Sequence, residues 1–95
     1  MAAFLVFIKE GEHDAATMAA YSGLAGPSLA GHNAKPHVVY GAIETLEGPE
    51  AQGCVMIEFP TMDEARAWYN SDAYQEARKL RFAGADYRVF LTQGM

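Results

Sequence analysis

Glu58 is the side chain of this sequence with the most scope for chemistry. It is an acid inside an otherwise apolar run, Cys-Val-Met-Ile-Glu-Phe over 54–59. Burial in such a run raises a carboxyl pKa, and a raised acid can take or give a proton near neutral pH. His37 opens the preceding strand-forming run. A hairpin between the two runs places Glu58 beside Tyr40, with His37 within one or two residues. An imidazole there can move protons. Glu58 and His37 are therefore the candidate catalytic pair. Trp68, Tyr69 and Tyr74 can line a pocket for a flat or apolar ligand, and Tyr40 is similar. Arg81 can hold a ligand carboxylate through two parallel hydrogen bonds. Each of these residues also has a plain structural use. The acid can bond a backbone N–H, the histidine can sit on an edge strand, the aromatics can pack, and Arg81 can bridge to Glu58, Asp72 or Asp86.

Other chemistry finds little support. His13 falls in a loop and His32 at a helix end, so both read as solvent groups. The three histidines lack metal-ligand spacing and Cys54 is the single cysteine, so neither a metal nor a cofactor is expected. Cys54 lies on a strand, where an inert thiol is the default. Ser71, just before Asp72-Ala73-Tyr74, reads as a helix cap rather than a nucleophile. There is no Gly-x-Ser-x-Gly elbow and no phosphate-cradling glycine loop.

The elements that must position these residues follow from pattern. Ala3 to Lys9 is a nearly continuous apolar run, suited to a central strand covered on both faces. Glu10 to His13 is the loop after it. Asp14 caps a helix carrying Met18, Tyr21, Leu24 and Ala25 on one face, and Gly26-Pro27 kinks or restarts it. Gly31-His32-Asn33 stops it. His37 to Leu46 is the second strand, with Gly41 marking a bulge or a close approach. The polar turn 47–53 leads to the third strand, Cys54 to Phe59. Thr61 and Glu64 form a capping box for a helix to about Tyr69. Ser71 caps another, with Tyr74, Ala77, Leu80 and Arg81 in one stripe, ending at Gly84. Tyr87 to Thr92 is the last strand. The order β-α-β-β-α-β, with the second helix split, is the ferredoxin-like α+β plan: an antiparallel sheet, strand order 4-1-3-2, with the helices on one face.

Ninety-five residues make one small domain, 1–95, with 51% hydrophobic and 20% charged residues. A chain of this size buries only about 60–65% of the surface its unfolded form exposes. Both parities of the first strand, Phe4-Val6-Ile8 and Leu5-Phe7-Lys9, are too apolar to meet water. The open sheet face is therefore expected to pack on a second copy as a twofold homodimer. A net charge of −5, with no basic cluster following a phosphate backbone, argues against nucleic acid. The apolar N-terminus meets Lys9-Glu10 too early for a signal peptide, and no run approaches the roughly 18 apolar residues of a membrane helix. A cytoplasmic protein that does not engage membranes is the expectation.

At this point the chain resembles a known family. Glu58-Phe59-Pro60-Thr61, Ala65-Arg66-Ala67-Trp68-Tyr69-Asn70-Ser71, Tyr74 and Arg81 are similar to the small bacterial proteins called domain of unknown function 1330. Leu24 to Leu29 and Glu44 to Gly48 also fit that family's patterns, so the resemblance covers almost the whole chain. It implies a ferredoxin-like dimeric α+β barrel and no particular activity. Two features depart from it. Asn33-Ala34-Lys35 stands where relatives have Gly-Gly-Arg, and Val39 replaces an Arg further along the strand. An anion-binding role for those groups is not carried over. Two functions then compete: a homodimer binding a small molecule between sheet and helices, and a cofactor-free acid/base enzyme of isomerase, lyase or oxygenase type. The second would act on a small organic acid or aromatic.

Overall fold

The computed structural model describes residues 1–95. Its elements are β1 (Ala3–Glu12), α1 (Ala15–Ala25), a 3-10 turn (Pro27–Leu29), β2 (Lys35–Val39), β3 (Gly53–Phe59), α2 (Met62–Tyr69), α3 (Asp72–Gly84) and β4 (Ala85–Gln93). The four strands form one antiparallel sheet in the order β2-β3-β1-β4. This is the ferredoxin-like plan.

Local chemistry starts each helix. Asp14, Thr61 and Ser71 sit in extended backbone and accept from the N–H groups of Thr17, Glu64 and Tyr74. Each satisfies an orphan donor of the first turn. The box at Thr61 is only half made, because Glu64 turns its carboxylate to the side-chain amide of Asn33, at 2.8 Å. Pro27 opens the 3-10 turn, where its missing N–H leaves no bond unmade.

Side-chain alternation divides the sheet. Leu5 and Phe7 of β1, and Ile57 and Phe59 of β3, point to the helices and are buried. They pack with Met18 and Tyr21 of α1, Ala65 and Trp68 of α2, and Tyr74 and Ala77 of α3. Trp68 is the hub of this layer: its ring lies 4.3 Å from that of Tyr74 and stacks on Phe59 at 5.8 Å. The opposite sheet face carries Phe4, Val6, Ile8, Cys54, Met56 and Glu58, and no helix covers it.

β3 starts at Gly53 rather than Cys54, β4 spans Ala85–Gln93 rather than Tyr87 to Thr92, and the other two strands differ more. β1 continues to Glu12 past a bulge at Glu10, so Gly11 and Glu12 pair with β4 rather than looping. β2 ends at Val39, not at Leu46. Tyr40 has φ +54, a left-handed backbone that costs a tyrosine about 1–2 kcal/mol and turns the chain out of the strand. Residues 41–50 are exposed.

Candidate functional site

The residues singled out above divide between two sides of the sheet. Glu58 and His37 meet on the bare face, with His37 Nε2 2.6 Å from Glu58 Oε1. A bulge makes the contact. Pro36 pairs with Ile57 and Val38 with Met56, so His37 is the extra residue and its ring is free to reach Glu58. Lys35, not Tyr40, lies across from Glu58. Tyr40 bonds through its N–H to the carbonyl of Cys54. The expected neighbourhood of Glu58 and Tyr40 does not form: the ladder sets Lys35 across from Glu58 and Val39 across from Val55, which leaves Tyr40 at the far end of β2, with its ring on the helix side. Glu58 and His37 are each about one-third exposed, with side-chain exposures of 32% and 39%.

The hollow lies on the other side. It has a volume of about 260 Å³ and opens between α1, the 3-10 turn and the β2–β3 half of the sheet. Tyr21 and Ala25 of α1, Leu29 of the turn, Val55 and Ile57 of β3, and the rings of Phe7, Trp68 and Tyr40 wall it. It exists because Ala25 and Gly26 offer no bulk where the helix breaks at Pro27. No charged side chain lines it. The indole and phenol groups nearby already have partners. Trp68 donates from Nε1 to Ser28 Oγ at 3.0 Å, and Ser28 donates to the carbonyl of Ala25. The Tyr21 and Tyr74 hydroxyls bond each other at 3.0 Å.

Of the binding residues expected from sequence, Trp68 and Tyr40 line this hollow. Tyr74 does not: it is fully buried behind Trp68. Tyr69 packs against Tyr74 and faces the guanidinium groups of Arg78 and Arg81. Arg81 is buried, makes no ion pair and bridges none of Glu58, Asp72 or Asp86. Its charge lies instead 5.8 Å from the Phe7 ring, 5.0 Å from Phe82 and 5.3 Å from Tyr87. Its Nε has no partner.

Burial raises the phenol pKa values of Tyr21, Tyr74 and Tyr87, and at Tyr21 and Tyr87 the tyrosine hydrogen-bonded to each adds to the rise. Arg81 opposes the rise at all three. These tyrosines therefore stay neutral over the physiological range. Burial also pushes up the Cys54 thiol.

Sequence reasoning passed over three participants: Ser28, Tyr87 and Gly53. Ser28 follows a proline in a turn, and nothing local marks it as the partner of an indole. Tyr87 bonds Tyr40 through their hydroxyls at 2.6 Å, a pairing that spans the sheet. Gly53 had a signal, since a glycine opening a strand often marks a close approach. Here the Tyr40 ring lies over it.

Comparison with known proteins supports the architecture. A protein of unknown function from Rhodopseudomonas palustris superposes with a TM-score of 0.75 at 19% identity, covering 99% of this chain and 82% of that one. A dimeric protein of unknown function and ferredoxin-like fold from Bacteroides fragilis gives 0.69 at 11% identity, covering 98% and 96%. A cofactor-independent oxygenase from Streptomyces nogalater gives 0.67 at 9% identity, covering 99% and 92%. At these identities the likeness is one of fold. A search of curated proteins found no match. The family described as Domain of unknown function (DUF1330) matches residues 3–95, and the chain belongs to it.

Proposed function

We propose that this protein is a homodimer that binds a small, uncharged aromatic molecule in the hollow beside Trp68. The observation that carries the reading is about 260 Å³ of half-enclosed space with apolar walls and no charged group. A cavity of about 150 Å³ with Leu, Ile and Phe walls is already enough for benzene. This one suits a single substituted ring. Apolar contact supplies the affinity, at about 25 cal/mol per Å² removed from water. Trp68 and Tyr40 touch the ligand. Tyr74, Tyr69 and Arg81 act from behind, with Tyr74 fixing the Trp68 ring. An organic acid fits less well, because Arg81 does not line the hollow and a carboxylate inside it would find no partner.

The homodimer rests on the bare sheet face. Phe4, Val6, Ile8, Val38, Met56 and Phe90 lie on it, and an apolar patch of this kind calls for a cover. The similarly folded B. fragilis protein is dimeric. Two bare faces meeting across a twofold axis form the self-complementary solution.

A second reading rests on the 2.6 Å contact between His37 and Glu58. An acid and an imidazole on the face that a partner covers can pass a proton to a substrate held between the sheets. The cofactor-independent oxygenase with this fold lends the reading fold-level analogy alone.

One titration separates the two. Trp68 is the only tryptophan, so its emission reports on the hollow. Toluene should change that emission saturably and give the same dissociation constant by calorimetry. Ala25→Phe, which fills the space, should abolish both signals. No saturable signal in the wild type would sink the binding reading. Turnover of an added aromatic that Glu58→Gln removes, with toluene affinity retained, would move the conclusion to the enzyme.

A further inference from the structure

Tyr40 is the one non-glycine residue with a positive φ, and it stands at the edge of the hollow. Strained backbone persists where surrounding contacts over-determine it, and it clusters at ligand sites. Three contacts hold Tyr40. Its N–H bonds the carbonyl of Cys54, and its hydroxyl bonds that of Tyr87. Its ring crosses Gly53, where a Cβ would fall 2.8 Å from Tyr40 Cδ1.

The same ring also borders a second space. This hollow of about 290 Å³ is walled by Lys9, Glu12, Met18, Ser22, Tyr40 and Tyr87 among others. Ser22 and Tyr40 wall both spaces. The first is apolar. The second holds a close ion pair, Lys9 Nζ to Glu12 Oε1 at 2.6 Å, together with the Tyr87 hydroxyl.

We propose that Tyr40 is a partition that sets ligand length, and that the two hollows, joined when its ring swings aside, take an aryl-alkyl molecule ending in an uncharged hydroxyl. The inference rests on the binding reading above and extends it to the ligand's second half. The charge balance of the recess decides the head group. A carboxylate would meet Glu12 and an ammonium would meet Lys9. A hydroxyl can donate to the one, accept from the other, and replace the bond that Tyr87 loses when Tyr40 leaves.

The test uses toluene, 3-phenylpropan-1-ol, 3-phenylpropanoate and butylbenzene, each titrated calorimetrically into wild type, Tyr40→Gly and Gly53→Ala. The glycine variant removes the partition. The alanine variant keeps the tyrosine but displaces its ring, so a folding defect in one does not decide the matter. In both, the ratio of the alcohol's dissociation constant to toluene's should fall about tenfold, the worth of one added hydrogen bond. Butylbenzene, which lacks the hydroxyl, should gain less. Adding Glu12→Gln should turn the preference toward 3-phenylpropanoate, since Lys9 is then unopposed. Toluene binding with no fall in the ratio would overturn the partition, and a gain for butylbenzene equal to the alcohol's would overturn the hydroxyl head group. Absence of toluene binding in the wild type would remove the hollow as a site, and this inference with it.

Discussion

Arg81 places a permanent charge in the interior with no acid beside it, which is costly unless something offsets the lost water. The offset is aromatic. The faces of Phe7, Phe82 and Tyr87 surround the guanidinium, and each such contact contributes on the order of 0.5–2 kcal/mol. The charge in turn acts on the neighbouring phenols, but burial outweighs it, and Tyr21, Tyr74 and Tyr87 remain protonated in the fold. This has a consequence in alkali. In the unfolded chain these phenols ionise near pH 10. Above that pH the unfolded state holds fewer protons than the folded state, so stability falls as pH rises. Their contribution is complete below about pH 10 and is lost above it, at up to about 1.4 kcal/mol per pH unit for each of the deeply buried pair Tyr21 and Tyr74. Tyr87, half in water, adds a smaller and screened share. Urea midpoints measured between pH 8 and 11.5 in a Cys54→Ala background should therefore hold level and then drop from about pH 10. Tyr21→Phe should make the drop shallower. A midpoint unchanged to pH 11.5 would contradict the burial account of these phenols.

At the scale of elements, the 3-10 turn does more than join α1 to β2. It delivers Ser28 to the indole of Trp68, so a turn of three residues fixes the hub of the core. Ser28→Ala leaves a buried N–H unpaired and should lower stability by about 1–3 kcal/mol in urea unfolding. A loss within error of zero would mean that the indole finds another acceptor. The helix starts were legible in the sequence because capping is local: Asp14, Thr61 and Ser71 need only the next three residues. Alternation was legible for the same reason, whereas the strand order followed from the β-α-β-β-α-β order of the elements. The end of β2 was not. Tyr40 leaves the strand because of Gly53 and Tyr87, which are neighbours only after the sheet has formed. The approach of His37 to Glu58 followed from the hairpin, but its side of the sheet did not. Alternation groups Glu58 with Cys54 and Met56, and only the packing of Trp68 and Ala65 on the other parity identifies this side as the bare one.

For the molecule as a whole, the bare face decides how the protein exists in solution. Light scattering at micromolar concentration should give about twice the 10.3 kDa chain mass. Val6→Glu, which sets a charge in the middle of the face, should return it to the single-chain mass without unfolding it. A wild-type protein of single-chain mass would leave the open face without its proposed cover. The sheet also has two rims, and they are unequally guarded. On β2, Pro36 has no N–H to offer, His37 interrupts the ladder and Tyr40 turns the chain away, so an incoming strand would find gaps in any register. β4 runs nine residues from Ala85 to Gln93 with no proline, bonded on one side to β1. Its outer row of amides and carbonyls is unbroken. Runaway strand-to-strand aggregation of this protein therefore has one open gate, and a single lysine or proline placed on the outer rim of β4 would close it.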